Sequence, residues 1–552
     1  MSQHRVCQIS GNTFVISDEE EKYCTVHDIP LPTISPEERL RSVTAFDNAI
    51  NLYHGECAFT KEKILTSIPP ERHHVYSAEI FASDKWDALT FGRAYDFSRP
   101  FFEQFAELLK LVPLPSRLVI VSTLENSNYV NGVTAAKNCY LLFNGTNCED
   151  CLFCRVLNQC KNVLDSFSTQ NSELCYGCIN VNQGYQLFWA ENCSNCNDSY
   201  FLFNCQNLKH CYGCENLKGK EYYFENQECT PEEYQEKLKA KNLGSYEAWK
   251  QEYLSYLERK KSTTRKYYQG KNNEDVTGNY INNSHHGREG FFILDSQDVF
   301  SSVRIVKGKD IFSSAFAVNN AEQIYTCHAT TNNSFNMRWC IACPNNTRDM
   351  EYCIYTGYGS KNCFGCVGLR QKEYCILNKQ YSKEEYFNLV SRIRKHMRET
   401  GEYGQPFPGY MSPNYYNESY AMEFLPLTKE DAIKRGFPWR DEVPQEAIDK
   451  ESASPNIPDH IDQFTDNMLN NVFVCAQTGK KYRLVKAELD FYRQFQIPIP
   501  RIAPLVRVKN LSRYLEIQPV VHRNCDRCDL SLESVYKTER VLCEPDYQES
   551  LL

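Results

Sequence analysis

Residues 192–214 read NCSNCNDSYFLFNCQNLKHCYGC, five cysteines with a CxxC pair at each end. Whether these are metal ligands, disulfide partners or packing atoms decides the fold, and their neighbourhood gives the first answer. From Cys160 the chain divides without gaps into CKNVLDSFSTQNSELCYG, CINVNQGYQLFWAENCSN, CNDSYFLFNCQNLKHCYG and CENLKGKEYYFENQECTP, a period of 18 residues. Cys160, Cys178, Cys196 and Cys214 share the first column, and Cys175, Cys193, Cys211 and Cys229 the sixteenth. The third column reads Asn162, Asn180, Asp198, Asn216. Stacked strands need this regularity, because each turn lays its inward side chains on those of the next, about 4.8 Å away. Asparagine and aromatic columns form ladders in such a stack. The period predicts a β-solenoid of 18-residue turns over 128–229, with these eight cysteines as its ladder.

The same pairs also have the CxxC-x14-CxxC spacing of a zinc ribbon, so metal remains an alternative to packing. Disulfides are the least favoured reading. The 27 cysteines are an odd number, no basic segment followed by an apolar one opens the chain, and the expected compartment is the cytoplasm, where thiols stay reduced. No stretch approaches the roughly 18 apolar residues of a membrane span.

Two further internal relations organise the chain. At an offset of 152, CYGCENLKGKEYYFENQECTPEEY (211–234) aligns with CFGCVGLRQKEYCILNKQYSKEEY (363–386), with 11 of 24 positions identical. Both end in capping-box chemistry, Thr230 with Glu233 and Ser382 with Glu385, so each of two solenoids is closed by a helix. At an offset of 468, the stretch from Val6 matches that from Val474, sharing Cys7/Cys475, Gly11/Gly479, Pro30/Pro498, Pro36/Pro504 and Arg39/Arg507, and the register continues to Cys57 over Cys525. The expected class is mainly β with helical caps: two β-solenoid arrays flanked by duplicated, degenerate zinc-ribbon-like modules. The expected order is an N-terminal module (1–83), a helical connector (84–127) with Ser98 as a helix N-cap, the first solenoid (128–229), a helical cap (230–274) and the second solenoid (275–381). A helical cap with a Pro-rich linker (382–472) and a basic C-terminal module (473–552) follow.

At CAQTGKKYR…ELDFYRQFQIPIPRIAPLVR and at SDKWDALTFGRAYDFSRPFFEQF the chain resembles an uncharacterised family of cysteine-rich proteins from candidate-phyla bacteria of the Patescibacteria type. The resemblance covers most of the chain and carries no established activity. It implies a terminal zinc ribbon of pattern CxxCGK followed by PxPxxCPxCR. Cys475, Gly479, Lys480, Pro498, Pro500, Pro504 and Arg507 match, but Thr478, Ala503 and Val506 stand at the other three cysteine positions. The first copy keeps Cys7, with Ser10, Ser35 and Glu38 in those places. One thiolate cannot hold a structural zinc, so both copies are expected to keep the frame without the metal. A fuller set is Cys525, Cys528 and Cys543 with Asp546, three thiolates and a carboxylate, which suits one structural zinc or a buried thiol cluster. In the equivalent early set Cys57 remains, with Thr60 opposite Cys528.

No GxGxxG, P-loop, GxSxG or HExxH motif is present, and no column pairs carboxylates with cations, so a non-enzymatic role is expected. The twin modules differ most in charge. Residues 6–60 hold nine acidic and three basic side chains, whereas 474–528 hold eleven basic and four acidic. Asp18, Glu19, Glu20, Glu21, Glu37 and Glu38 define an acidic face. Lys480, Lys481, Arg483, Lys486, Arg493, Arg507, Lys509 and Arg513 define a basic one. Opposite charge on a shared frame invites pairing, within one chain or head to tail between copies as a ring or filament. The alternative is RNA or ribosome binding by the basic module, with Tyr482, Phe491, Tyr492 and Tyr514 beside the cations.

Overall fold

A computed structural model describes residues 3–48, 50–441 and 456–551. Strands take 33% of the chain and helices 25%, so the class is mainly β with helices. The strands follow from a triplet rule. From Gly132 to Glu225 every third residue has φ near +50 to +66, and asparagine is frequent there because its short polar side chain tolerates the left-handed region. As far as Gly213 the residue after each of these is buried and no larger than leucine, as in Cys139, Leu142, Cys148, Cys151, Cys154 and Leu157; beyond it Leu217 and Tyr223 are partly buried and Lys220 is exposed. Four triplets bring the chain back beside itself: Leu142 pairs in parallel with Val130, and Cys154 with Leu142. The same 12-residue step carries Lys161 onto Glu173, then Tyr185, Asn197, Lys209 and Glu221. The product is a 13-stranded sheet.

The pairing period is therefore 12, not the 18 expected from the sequence columns. Eighteen residues are six triplets, one and a half returns, so the columns keep the inward phase but change sides. Cys160 pairs with Cys148 rather than lying over Cys178, Cys175 pairs with Val163, and Cys193 with Val181. The pairs Cys175/Cys178 and Cys193/Cys196 are thus not stacked on one another, which removes the four-sulfur convergence that the metal alternative needs. Seven of the eight ladder cysteines are buried in one core, whereas Cys229 lies beyond the last parallel strand and is partly exposed. Its N–H bonds the Tyr222 carbonyl in the closing turn.

Hydrogen bonding explains why so many inward positions are cysteine. The Cys154 thiol donates to the Leu152 and Val163 carbonyls at 3.1 and 3.3 Å, and its Sγ accepts the Ser166 N–H at 3.4 Å. Serine does the same elsewhere: Ser166 donates to Leu164 O at 2.8 Å and accepts the Cys178 N–H at 3.0 Å. The inward site needs a small side chain that satisfies a carbonyl behind it and an amide one return ahead. Cysteine meets this while remaining nearly apolar. Every cysteine lies among the described residues, and none is in a disulfide.

The second sheet has 12 strands and the same logic, with one addition. Gln297 pairs with Lys309 at a step of 12, but Lys309 with Glu322, Glu322 with Phe335 and Phe335 with Arg348 at 13. The extra residue is the second of a left-handed pair, Asn319–Asn320, Asn332–Asn333 and Asn345–Asn346. Their side chains form two exposed columns, Asn319 to Asn332 at 2.8 Å and Asn320 to Asn333 at 3.3 Å. Each sheet ends in an antiparallel strand, Gln227–Glu228 or Lys379–Gln380, and then a helix with a complete capping box, Pro231–Ala240 or Lys383–Glu399. A second helix, Tyr246–Ser262, completes the first cap.

The modules dock crosswise. The N-terminal module packs on the second sheet: Arg39 bonds Glu20 at 2.5 Å and the Tyr325 hydroxyl at 2.6 Å, and Arg338 bonds His27 at 3.1 Å. The C-terminal module packs on the first: Arg507 pairs with Asp165, and Tyr514 stacks on Phe167 at 5.7 Å. The connector helix Phe101–Leu111 also lies on the second sheet, Phe101 against Tyr352 and Phe364. Its cap is not Ser98, which bonds Asp96; the Glu402 carboxylate accepts the Phe101 and Phe102 N–H groups at 2.8 and 2.7 Å. A tertiary carboxylate outcompetes the local hydroxyl because it serves two amides with a charge. The described part of the expected linker is packed structure. Tyr420 joins the sheets, bonding Asn144 of the first at 2.7 Å and packing edge-on against Phe316 of the second at 5.0 Å. Residues 442–455 of that linker lie outside the described residues. No helix among the described residues is long and apolar enough to cross a membrane.

Candidate metal centre

One local frame occurs four times. A buried cysteine directly follows a short strand and opens a tight turn, and the thiol accepts the amide of a residue that caps a later helix. Cys7 accepts from Ser35, Cys57 from Ser77, Cys475 from Ala503 and Cys525 from Cys543, each at 3.3 Å. Those four acceptors' partners are N-caps of Pro36–Thr44, Ala78–Phe81, Pro504–Asn510 and Glu544–Ser550. The 468-residue relation covers Cys7/Cys475 and Cys57/Cys525. It does not reveal Ser77, because the distance to the second half of the frame is 20 residues there and 18 at Cys525. The sequence signal was the thiol alone.

In three frames a hydroxyl replaces the second thiol: Ser10, Thr60 and Thr478 each bond the cysteine. Although burial raises these thiols, the hydroxyl and backbone donors outweigh it and leave Cys7, Cys57 and Cys475 below the ordinary value. A single thiol with amide and hydroxyl donors offers one metal ligand, whereas a structural zinc takes four.

The fourth frame differs. Cys528 lies 3.7 Å from Cys543, sulfur to sulfur, and Asp546 Oδ2 lies 3.1 Å from Cys525 and 3.2 Å from Cys543. Among the described residues this is the one group of three or more Cys, His, Asp and Glu side chains whose ligand atoms all fall within 4.8 Å of one another. A tetrahedron of ligands about 2.3 Å from a centre has edges of roughly 3.8 Å, so the set has the size a metal ion of that kind requires. The Cys543 N–H on Cys525 orients the set, and Arg527 lies 3.9 Å from the other Asp546 oxygen. Bonds from Cys528, Cys525 and Cys543 hold the Asp546 carboxyl below its usual range, while burial pushes the Cys543 thiol up to about 12. Strand pairing ties the centre to the rest: Arg265 and Lys266 run parallel to Val541 and Leu542.

The charged faces divide. Asp18, Glu19, Glu20 and Glu21 form the first turn of Asp18–Val26, and Glu37 and Glu38 that of Pro36–Thr44. Glu20 is buried on Arg39, and Glu38 on Arg41 and Arg435, so neither belongs to an outer face. Glu19 lies 3.6 Å from His286. On the basic side Lys480, Lys481, Arg483, Lys486, Lys509 and Arg513 are exposed. Arg493 is held by Asp466 and the Phe464 carbonyl, and Arg507 is an internal ion. Tyr482, Phe491 and Tyr492 are buried, and Tyr514 stacks inward, so the aromatic residues expected to meet bases are core residues instead. Summing charge along a sequence treats every ion as surface; burial requires the inner ones to be neutralised locally.

No protein-family model matches the chain, and no curated protein matches it.

Proposed function

We propose that the protein is a non-enzymatic scaffold of two β-solenoids with 12- and 13-residue rungs, fixed by the crossed terminal modules and joined to further copies of itself in a reducing, cytoplasmic setting. The observation that carries this reading is the parallel return of the chain at a constant step over small inward side chains, since a stack of that kind buries a continuous core and offers long rigid faces. One zinc at Cys525, Cys528, Cys543 and Asp546 would act structurally, with four protein ligands leaving no open position. Contact between copies would join exposed Lys480, Lys481 and Arg483, which have no carboxylate within ion-pair distance among the described residues, to Glu21 and Glu37 of a second copy. Such a contact is heterologous and builds rings or filaments.

Light scattering on nuclease-treated protein across a salt series tests it. Expected are large species that dissociate as salt rises, are lost in Lys480→Glu/Lys481→Glu and return when that variant is mixed with Glu21→Lys/Glu37→Lys. A monomer at every salt concentration sinks the assembly reading. Large species present in an untreated sample and absent from the nuclease-treated one would transfer the basic face to RNA, through phosphate contacts without base stacking.

A further inference from the structure

Of the 27 cysteines, 25 are buried, Cys229 is partly exposed and Cys528 alone is exposed. Thiol oxidation needs access, so Cys528 is the sulfur that an oxidant in solution meets first. The Cys543 sulfur lies 3.7 Å from it, in hydrogen-bond contact. Cys525, the CxxC partner in sequence, is engaged elsewhere: its sulfur accepts the Cys543 N–H at 3.3 Å and bonds Asp546 Oδ2 at 3.1 Å. An exposed thiol beside a second one is the arrangement of a redox pair, in which the second thiol resolves the oxidised first. The pair also sits at a joint. The Arg265 and Tyr267 N–H groups, in the chain between the first cap and the second sheet, donate to Arg540 O at 2.9 Å and Leu542 O at 3.0 Å, and the Ser534 hydroxyl donates to Tyr267 O at 2.6 Å. On the other side the Tyr547 hydroxyl donates at 3.1 Å to Asn216 Oδ1, between strands Lys209–Tyr212 and Glu221–Phe224 of the first sheet.

From the lone exposed thiol, its sulfur neighbour and their place at this joint, we infer that Cys528 and Cys543 form an oxidation site for hydroperoxides, whose closure to a disulfide expels the bound ion and loosens the joint between the two sheets. The disulfide needs only the two thiols; expulsion rests on the metal-centre reading above. A coordinating thiol is deprotonated. The Cys528 thiolate attacks one peroxide oxygen: an S–O bond forms, the O–O bond breaks, and the other oxygen leaves as hydroxide. The Cys543 thiolate then attacks the sulfenic sulfur: an S–S bond forms, the S–O bond breaks, and a second hydroxide leaves. Two electrons pass from the sulfurs to the peroxide, and each hydroxide takes a proton from the buffer. Cys525 and Asp546 remain, two ligands where a structural zinc takes four.

The full chain, purified with reductant and then freed of it, is assayed for metal and treated with hydrogen peroxide. Expected are a disulfide that peptide mapping assigns to Cys528 and Cys543, one ion released to a chromophoric chelator per disulfide, and oxidation of Cys528 at least about tenfold faster than of Cys229 or any buried solenoid cysteine. Amide exchange at Arg265 and Tyr267 should quicken about tenfold or more, and a dithiol supplied with zinc should reverse the change. In Cys528→Ser the disulfide is lost, and peroxide no longer alters exchange at Arg265 and Tyr267. A protein that carries metal but forms no Cys528–Cys543 disulfide overturns the inference and leaves the metal centre in place; a metal-free protein that forms it supports the oxidation site and removes the metal reading alone. A disulfide between Cys525 and Cys528, oxidation of Cys528 no faster than of Cys229, or exchange unchanged by the disulfide would each overturn the inference.

Discussion

Arg507→Met tests whether the C-terminal module is held to the first sheet as described. The Arg507 side chain is 10% exposed, lies over Phe153 at 4.6 Å, and bonds Asp165, Glu488 at 3.0 Å and the Tyr492 hydroxyl at 2.9 Å. Methionine keeps much of the stem and removes the charge, leaving two carboxylates inside with no cation. Breaking one partner out of a buried ion group costs about 3–5 kcal/mol. Local opening of the module should therefore become roughly a hundredfold to a few thousandfold more frequent, read as faster amide exchange in Lys486–Gln494 and Pro504–Asn510. The deficit should depend on pH. Burial already raises Asp165 and Glu488, and Arg507 opposes the rise, so removing it lets both climb further. A carboxyl whose folded pKa is raised contributes fully below its unfolded value and loses that contribution as pH rises through the folded one. The variant should thus be nearest to wild type around pH 4 and fall behind toward neutrality. Adding Asp165→Asn and Glu488→Gln should recover most of the loss. An exchange change below tenfold, or a deficit independent of pH, would refute the buried-ion account.

Metal analysis of purified protein should find one divalent ion per chain, lost in Cys543→Ser and in Asp546→Ala; metal surviving both variants would place it elsewhere. Cys178→Ser should cost less than about 1 kcal/mol in thermal or chemical unfolding, because serine already holds the equivalent site at Ser166 and donates, as Cys178 does to Tyr176, to the carbonyl two residues back. A collapse of the fold would show a different role for that thiol. Asn333→Val should destabilise by about 1–3 kcal/mol, since a β-branched residue resists φ of 60° and the Asn320 to Asn346 column is cut; Asn333→Gly should cost less. Glu402→Ala should loosen Phe101–Leu111 by about 1–2 kcal/mol, seen as faster exchange at Phe101 and Phe102, with no change expected in the first sheet.

Much of this organisation was legible in the sequence, and the misses have physical causes. Repetition, the closing helices and their capping boxes follow from local patterns at Thr230/Glu233 and Ser382/Glu385, where the determining atoms are three residues apart. The period was misread because Cys160, Cys178, Cys196 and Cys214 obey the triplet phase, which any multiple of three preserves. The 12-residue step lies in which strands pair, Leu142 with Val130 and Cys154 with Leu142, and the composition of one column does not encode that. The Cys525 set was legible because a chelating group needs particular side chains, whereas Ser77 and Ala503 serve through the backbone amide and leave no chemical trace. Crossed docking was invisible for a different reason: Arg39 and Tyr325 are 286 positions apart, and nothing local to either names the other.

Crossing also determines how the molecule would yield to force. A pull on its two ends loads the Arg39–Tyr325 contact at one side and the Arg507 contacts at the other before any repeat is strained. Those two clasps must shear as units. Behind them the parallel strands, paired at a 12-residue step, can peel one at a time, and every 12 residues freed lengthens the tether by at most ~40 Å. A stretched molecule should therefore give way twice at high load and then pay out in small, even steps, a shock absorber protected by two latches.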